Sequence, residues 1–152
     1  MSCKMEDEKP VGVVINVLRI VDGVGQFLFL RRSSGGYKNQ WWPVAGRIEV
    51  GENPVQAALR ELKEETDLIP LEIYRLGMDV PHVDGKSKLE GFVAFVEPGS
   101  LVRLNYEHSE FGWLGVQEAI EGLPTYAIPF IRHIESQFLI SQPQMDIRLW
   151  PV

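Results

Sequence analysis

Cysteine is nearly absent from this chain: Cys3 stands alone in 152 residues. No intramolecular disulfide can form, which suits a reducing compartment. The opening segment, MSCKMEDEKP, lacks the apolar stretch of a secretory leader, and no apolar run approaches the length of a membrane span. The expected setting is therefore the cytoplasm, away from any membrane. Basic residues are in deficit too, with 15 Lys and Arg against 21 Asp and Glu and a formal net charge of -6. A nucleic-acid polymer or an anionic membrane surface needs a basic footprint, so neither is an expected partner. A small phosphorylated ligand stays open, because a divalent metal can supply the positive charge. Internal repeats, low-complexity blocks and linkers are also missing. The expectation is one domain over residues 1–152, with 1–10 as a flexible N-terminal tail and 141–152 as a C-terminal extension. What is present is ample apolar material: 45% hydrophobic against 24% charged residues, enough for a globular core.

The chain divides into short extended segments and a few helices. VGVVINVLRI, after Pro10, is rich in β-branched residues and predicts a strand. VDGVG is a turn signal, and QFLFLRR returns as the second arm of a hairpin. SSGGYKNQ has loop composition, and WWPVAG suits a short extended piece because the residue before Pro43 is pushed away from helix. Asn53 is a good N-cap, Pro54 fits a first helical turn, and VQAALRELKEET continues the helix until Asp67 and Pro70 end it. Val55, Ala58, Leu59 and Leu62 then share one side. LEIYRLGM and LEGFVAFVEP predict strands around a polar loop, His82 to Lys88, that is a candidate lid; FGWLG predicts another short strand. VQEAIEGL predicts a short helix. AIPFIRHIESQFLI predicts a longer one with Ile128, Ile131, Ile134 and Phe138 at helical spacing. The alternating MDIRLW fits an edge strand or a contact in a homodimer. This order predicts a mixed α/β sheet with helices packed against it.

Within the strongest helix, Glu61, Glu64 and Glu65 present three carboxylates to one small volume. Hard cations such as Mg²⁺ take oxygen ligands of this kind, completed by water and substrate phosphate. In isolation a solvated helix face is the better account of the cluster, since like charges at this spacing cost only about 0.2–0.5 kcal/mol per pair. The upstream residues separate the two readings. From Gly46 the chain runs through five residues to Glu52, seven more to Arg60-Glu61, then Leu62, one residue, Glu64-Glu65, one residue, Asp67 and Leu68. This resembles the signature of the Nudix hydrolase family at every position except Asp67, where the pattern has glycine. A chance match of this length is on the order of one in a million.

The resemblance implies an α/β/α sandwich with a mixed β-sheet over most of the chain. It also implies hydrolysis of a pyrophosphate bond in a nucleoside diphosphate linked to another group. It makes Glu61, Glu64 and Glu65 metal ligands for Mg²⁺, with Mn²⁺ as a substitute, and adds the backbone carbonyl of Ala45. Arg60 would hold acidic side chains such as Glu52 in place, and Gly46 would let the loop pass close to the metal. Glu61, Glu64 and Glu107 are the candidate catalytic carboxylates, with Glu110 a weaker one. The spacing Glu107-His108, four residues, Trp113-Leu114 is similar to a segment of the family's nucleoside triphosphate and dihydroneopterin triphosphate pyrophosphohydrolases. So is the Trp, two residues, Val, one residue, Gly form of NQWWPVAG. Diadenosine tetraphosphate hydrolases share a Trp-Leu segment and remain an alternative. Arg31 and Arg32 are candidates for substrate phosphates, and Tyr37, Trp41 and Trp42 for stacking on a base or pterin ring; one of the two tryptophans is expected in the core. His108 and Trp113 are read as structural. Asp67 is expected to close the helix in the left-handed conformation at some cost. A nucleotide-sensing protein of the same fold would be expected to lack carboxylates that are all present here. An isopentenyl diphosphate isomerase would need a site cysteine, and Cys3 lies in the tail.

Overall fold

A computed structural model describes residues 9–81 and 86–151; Cys3, most of the N-terminal tail and His82–Gly85 of the candidate lid lie outside the described residues. β1 (Gly12–Val21) and β2 (Val24–Arg32) form the expected hairpin. Asp22 and Gly23 both have positive φ, 51° and 79°, the conformation whose twist matches the flanking strands. β3 (Trp41–Trp42) and β4 (Val44–Arg47) flank Pro43. The helix α1 (Pro54–Thr66) follows, then β5 (Glu72–Arg75), β6 (Val80–Pro81), β7 (Lys88–Phe95) and β8 (His108–Leu114). α2 (Val116–Gly122), α3 (Ile128–Ile134) and β9 (Arg148–Trp150) complete the order.

The described residues form one sheet in the order β3-β2-β1-β7-β5-β9, with β4 also on β1, β6 on β7 and β8 on β2. β1 and β7 run parallel and the other pairs antiparallel, so the sheet is mixed. Alternation along β1 and β2 divides the core in two. Val13, Ile15, Val17, Leu28 and Leu30 pack with Ala57, Ala58 and Leu62 of α1. Val14, Leu18, Phe27 and Phe29 pack on the other face with Ile131, Ile134 and Phe138. This is the expected α/β/α sandwich.

Three local expectations are sharpened. β8 begins at His108, earlier than FGWLG suggested, because His108 to Leu114 pairs with β2. The last helix is α3 followed by a wider π-turn over Glu135–Ile140, with Ile131, Ile134 and Phe138 buried and Ile128 only half-buried. The tail's MDIRLW folds back in cis, β9 pairing with β5 at the sheet edge.

Candidate metal and substrate site

The carboxylate helix is anchored at both ends by local chemistry. Asn53 accepts from the Gln56 N–H at 2.8 Å while the Gln56 side chain accepts from the Asn53 N–H at 2.9 Å, a reciprocal cap. Asp67 closes the helix in the left-handed region, φ 59°, with its N–H donating to the Lys63 carbonyl at 2.9 Å. The departure from the family pattern thus preserves the turn that glycine would make.

Arg60 organises the acidic side chains around it. Its Nε and one Nη donate to the two Glu52 oxygens at 2.7 and 2.9 Å. The other Nη donates to Glu61 at 2.8 Å and to Glu64 at 3.2 Å, and a further bond runs to the Arg47 carbonyl at 2.8 Å. The Arg60 hydrogen bond, aided by the Glu49 N–H, holds the Glu52 carboxyl down at about 2. The Arg60 guanidinium is driven above its ordinary value, chiefly by Glu52. The positioning role expected of Arg60 and Glu52 therefore has a visible geometry.

The three helix carboxylates meet around Glu61, which shares one Arg60 nitrogen with Glu64 and is hydrogen-bonded to Glu65, but they differ in exposure. Glu64 is half exposed, Glu61 is mostly buried, and the Glu65 side chain is only 2% exposed. On the helix, Glu65 falls next to Leu62 on the flank that meets the sheet. Burial pushes its carboxyl well above the usual range, and the neighbouring Glu61 and Glu107 carboxyls push it further. The Ala45 N–H acts the other way, donating to it. Within a strand the N–H and C=O of one residue leave by the same edge, so the Ala45 carbonyl opens toward these carboxylates. Gly46 is needed beside it, since a Cβ there would sit on the Glu61 carboxyl.

Among the described residues, no three Asp, Glu, His or Cys side chains converge at ligand distances. Arg60 occupies Glu61 and Glu64, and Glu65 points inward. The donor set nevertheless fits a hard cation. The Glu65 Oε2 is buried with no hydrogen-bond partner, and three carboxyls crowd together where positive charge would relieve them.

Glu107 joins this cluster from outside the helix, close enough for its charge to act on Glu65. Its N–H donates to Asn105 Oδ1 at 3.1 Å and its carbonyl accepts from the Ser33 N–H at 2.9 Å, which fixes the loop before β8. His108 is buried, with Nε2 3.5 Å from Glu65 and Nδ1 3.4 Å from Asn105; burial lowers its pKa. Glu110 is excluded from the cluster because it lies on β8 and pairs with Arg31 at 2.9 Å. Arg31 is opposite Trp41 in register and so shares its face of the sheet. Arg32 lies on the α1 face, near enough for its charge to act on His108. Both arginines carry a buried Nε without a hydrogen-bond partner. Tyr37 is exposed in the loop after β2.

On the opposite face, an apolar slot opens between the sheet and the α2–α3 region. Phe29, Trp41, Trp42, Pro124 and Phe130 line it, and Asn16 is its polar member. Neither tryptophan is fully buried: Trp41 packs on the second core cluster, and Trp42 stacks obliquely on Tyr126 at 5.7 Å. Trp113 packs on the first core cluster beneath Arg19, 4.3 Å from its guanidinium. Sequence reasoning found Trp41 and Trp42 but missed Asn16, Phe130 and the contact of His108 with Glu65. An asparagine inside a β-branched run was the available signal for Asn16.

The NUDIX domain family matches residues 10–137. A curated relative, "Octanoyltransferase" of Myxococcus xanthus, is 39% identical over 119 residues, 70% of this chain. The chain spans only 32% of that protein's length. "Bis(5'-nucleosyl)-tetraphosphatase [asymmetrical]" of Rattus norvegicus is 32% identical over 124 residues, 78% of this chain and 83% of that one. Among solved structures, a C. elegans Ap4A hydrolase binary complex shares the fold with a TM-score of 0.70 at 22% identity, covering 82% of this chain and 96% of that one. Family match, signature spacing and sandwich architecture agree: the chain belongs to the NUDIX domain family.

Proposed function

We propose that this protein hydrolyses a dinucleoside polyphosphate of the tetraphosphate type, with Mg²⁺ as cofactor and Mn²⁺ as a substitute. The observation that carries the reading is the Glu61–Glu65–Glu107 carboxyl cluster, in which Glu65 is buried with one oxygen unpartnered. Glu61, Glu64, Glu65 and the Ala45 carbonyl would hold the cation, with Arg60 and Glu52 fixing Glu61 and Glu64 and Gly46 leaving room. Bound there, a divalent cation supplies charge neutralisation at the phosphates and a more acidic water. Arg32, on the carboxylate side of the sheet, is the side chain available for a phosphate; Arg31 serves only by leaving Glu110. One base enters the slot beside Trp41 and Trp42. A water oxygen bonds to phosphorus, the bridging P–O bond breaks, and the departing phosphate keeps the electron pair. Glu107 or a helix glutamate takes the water's proton. The named tetraphosphatases, whose length this chain mostly covers, support the choice of substrate.

A second reading is cleavage of a (deoxy)nucleoside triphosphate or dihydroneopterin triphosphate to monophosphate and pyrophosphate. The aromatic lining of the slot favours it. Incubation with Mg²⁺ and a panel of dinucleoside polyphosphates, nucleoside triphosphates, dihydroneopterin triphosphate and nucleotide sugars separates the two by product. Nucleoside triphosphate plus monophosphate from a dinucleoside tetraphosphate supports the first reading, and pyrophosphate release supports the second. Binding with no turnover of any compound would instead mark a nucleotide sensor.

A further inference from the structure

β1 carries one polar residue on the face that looks into the slot. Its neighbours there, Val14 and Leu18, are 3% and 0% exposed, and Asn16 between them is 7% exposed. Asparagine is disfavoured in strands, and a buried amide is costly unless it is well hydrogen-bonded. Asn16 is poorly bonded: its Nδ2 reaches the Phe92 carbonyl only at 3.5 Å. Its position in the sheet is also distinctive. Along one edge β1 pairs with β4 through residues 12–15 and with β2 through residues 18–21, so Asn16 lies where that edge changes partner, while the other edge stays paired with β7. That opening in the ladder is walled by Phe29, Trp41 and Trp42.

We infer that Asn16 is a specificity-determining residue, whose carboxamide reads the polar edge of a heteroaromatic ring held in the slot. The inference rests on the proposed hydrolysis of a nucleoside polyphosphate and deepens it. A carboxamide offers an acceptor and two donors in one plane. It matches a ring edge that sets an exocyclic amino or oxo group beside a ring nitrogen, as adenine and pterin do. Apolar walls accept any flat ring; Asn16 selects one bearing that edge. A ring without it leaves the amide unpaired, which disfavours the wrong substrate.

The test compares two nucleoside polyphosphates that differ only in the ring, one carrying adenine and the other unsubstituted purine. Wild-type protein is expected to prefer adenine by about 10- to 100-fold in kcat/KM. In Asn16→Val and Asn16→Leu the ratio falls to about one, through a higher KM for the adenine compound, while Tm stays level or rises because a poorly bonded amide has left the core. A merely structural asparagine would do the reverse, lowering Tm and leaving the ratio intact. Either variant that folds and keeps the wild-type preference overturns the assignment, as does a wild-type enzyme that turns over both compounds equally. No turnover of any compound by wild type would instead overturn the hydrolase reading, and this inference with it.

Discussion

Replacing Glu65 by glutamine should stabilise the metal-free protein while removing its response to Mg²⁺. The Glu65 side chain is 2% exposed, it faces Glu61 and Glu107, and one of its oxygens has no partner. Its carboxyl pKa lies well above the ordinary carboxylate range of about 4–5. Above that range the unfolded chain has released the proton, while the folded protein still holds it. The folded state therefore binds more protons, and stability falls as pH rises until the folded-state pKa is passed. Each pH unit in that window removes about 1.4 kcal/mol, so the ceiling near neutrality is roughly 3 kcal/mol. Glutamine keeps the shape and has no proton to lose. In EDTA at about pH 8, Glu65→Gln should exceed wild type in Tm by up to about 10 °C, and the gap should close toward about pH 5. Mg²⁺ should then raise the wild-type Tm and leave the variant nearly unmoved, because a bound ligand stabilises by mass action. Thermal scans at the two pH values, with EDTA or with Mg²⁺, measure all of this. Equal Tm values in EDTA at the higher pH, or equal Mg²⁺ responses, would refute the picture of a strained, metal-seeking carboxyl.

Gly46→Ala should lower turnover of the best substrate by about a hundredfold with little change in fold, because the added methyl displaces the Glu61 carboxyl; steady-state kinetics and circular dichroism check it. Arg60→Ala should cost about 2–3 kcal/mol in urea unfolding, since it removes mostly buried charged hydrogen bonds to Glu52 and Glu61. Asp67→Gly should raise stability by about 0.5–1 kcal/mol and leave kinetics unchanged, because glycine relieves the left-handed conformation without touching a carboxylate of the site.

Several features were legible in the sequence because their causes are local. The α1 boundaries follow from Asn53, Pro54 and Asp67, whose capping chemistry acts within a few residues. The hairpin follows from Asp22-Gly23 between two apolar runs. The family follows from the spacing of Gly46, Glu52, Arg60, Glu61, Glu64 and Glu65, fixed along one loop and one helix. Tertiary structure decided what each of these residues experiences. Helical spacing placed three glutamates together, but the sheet beneath α1 buried Glu65 and left Glu64 to solvent. Glu107 and His108 reach Glu65 only because β8 pairs with β2, whose following residue Ser33 holds the loop before β8. The slot has no local signature either, since it combines β1, β2, β3 and the segment around α3. Asn16 is a single asparagine in a β-branched run, and only the change of partner along β1 opens a cavity at its side chain. Capping and periodicity depend on neighbours in sequence. Desolvation and charge crowding depend on which distant segments fold against one another, and those set the chemistry of this site.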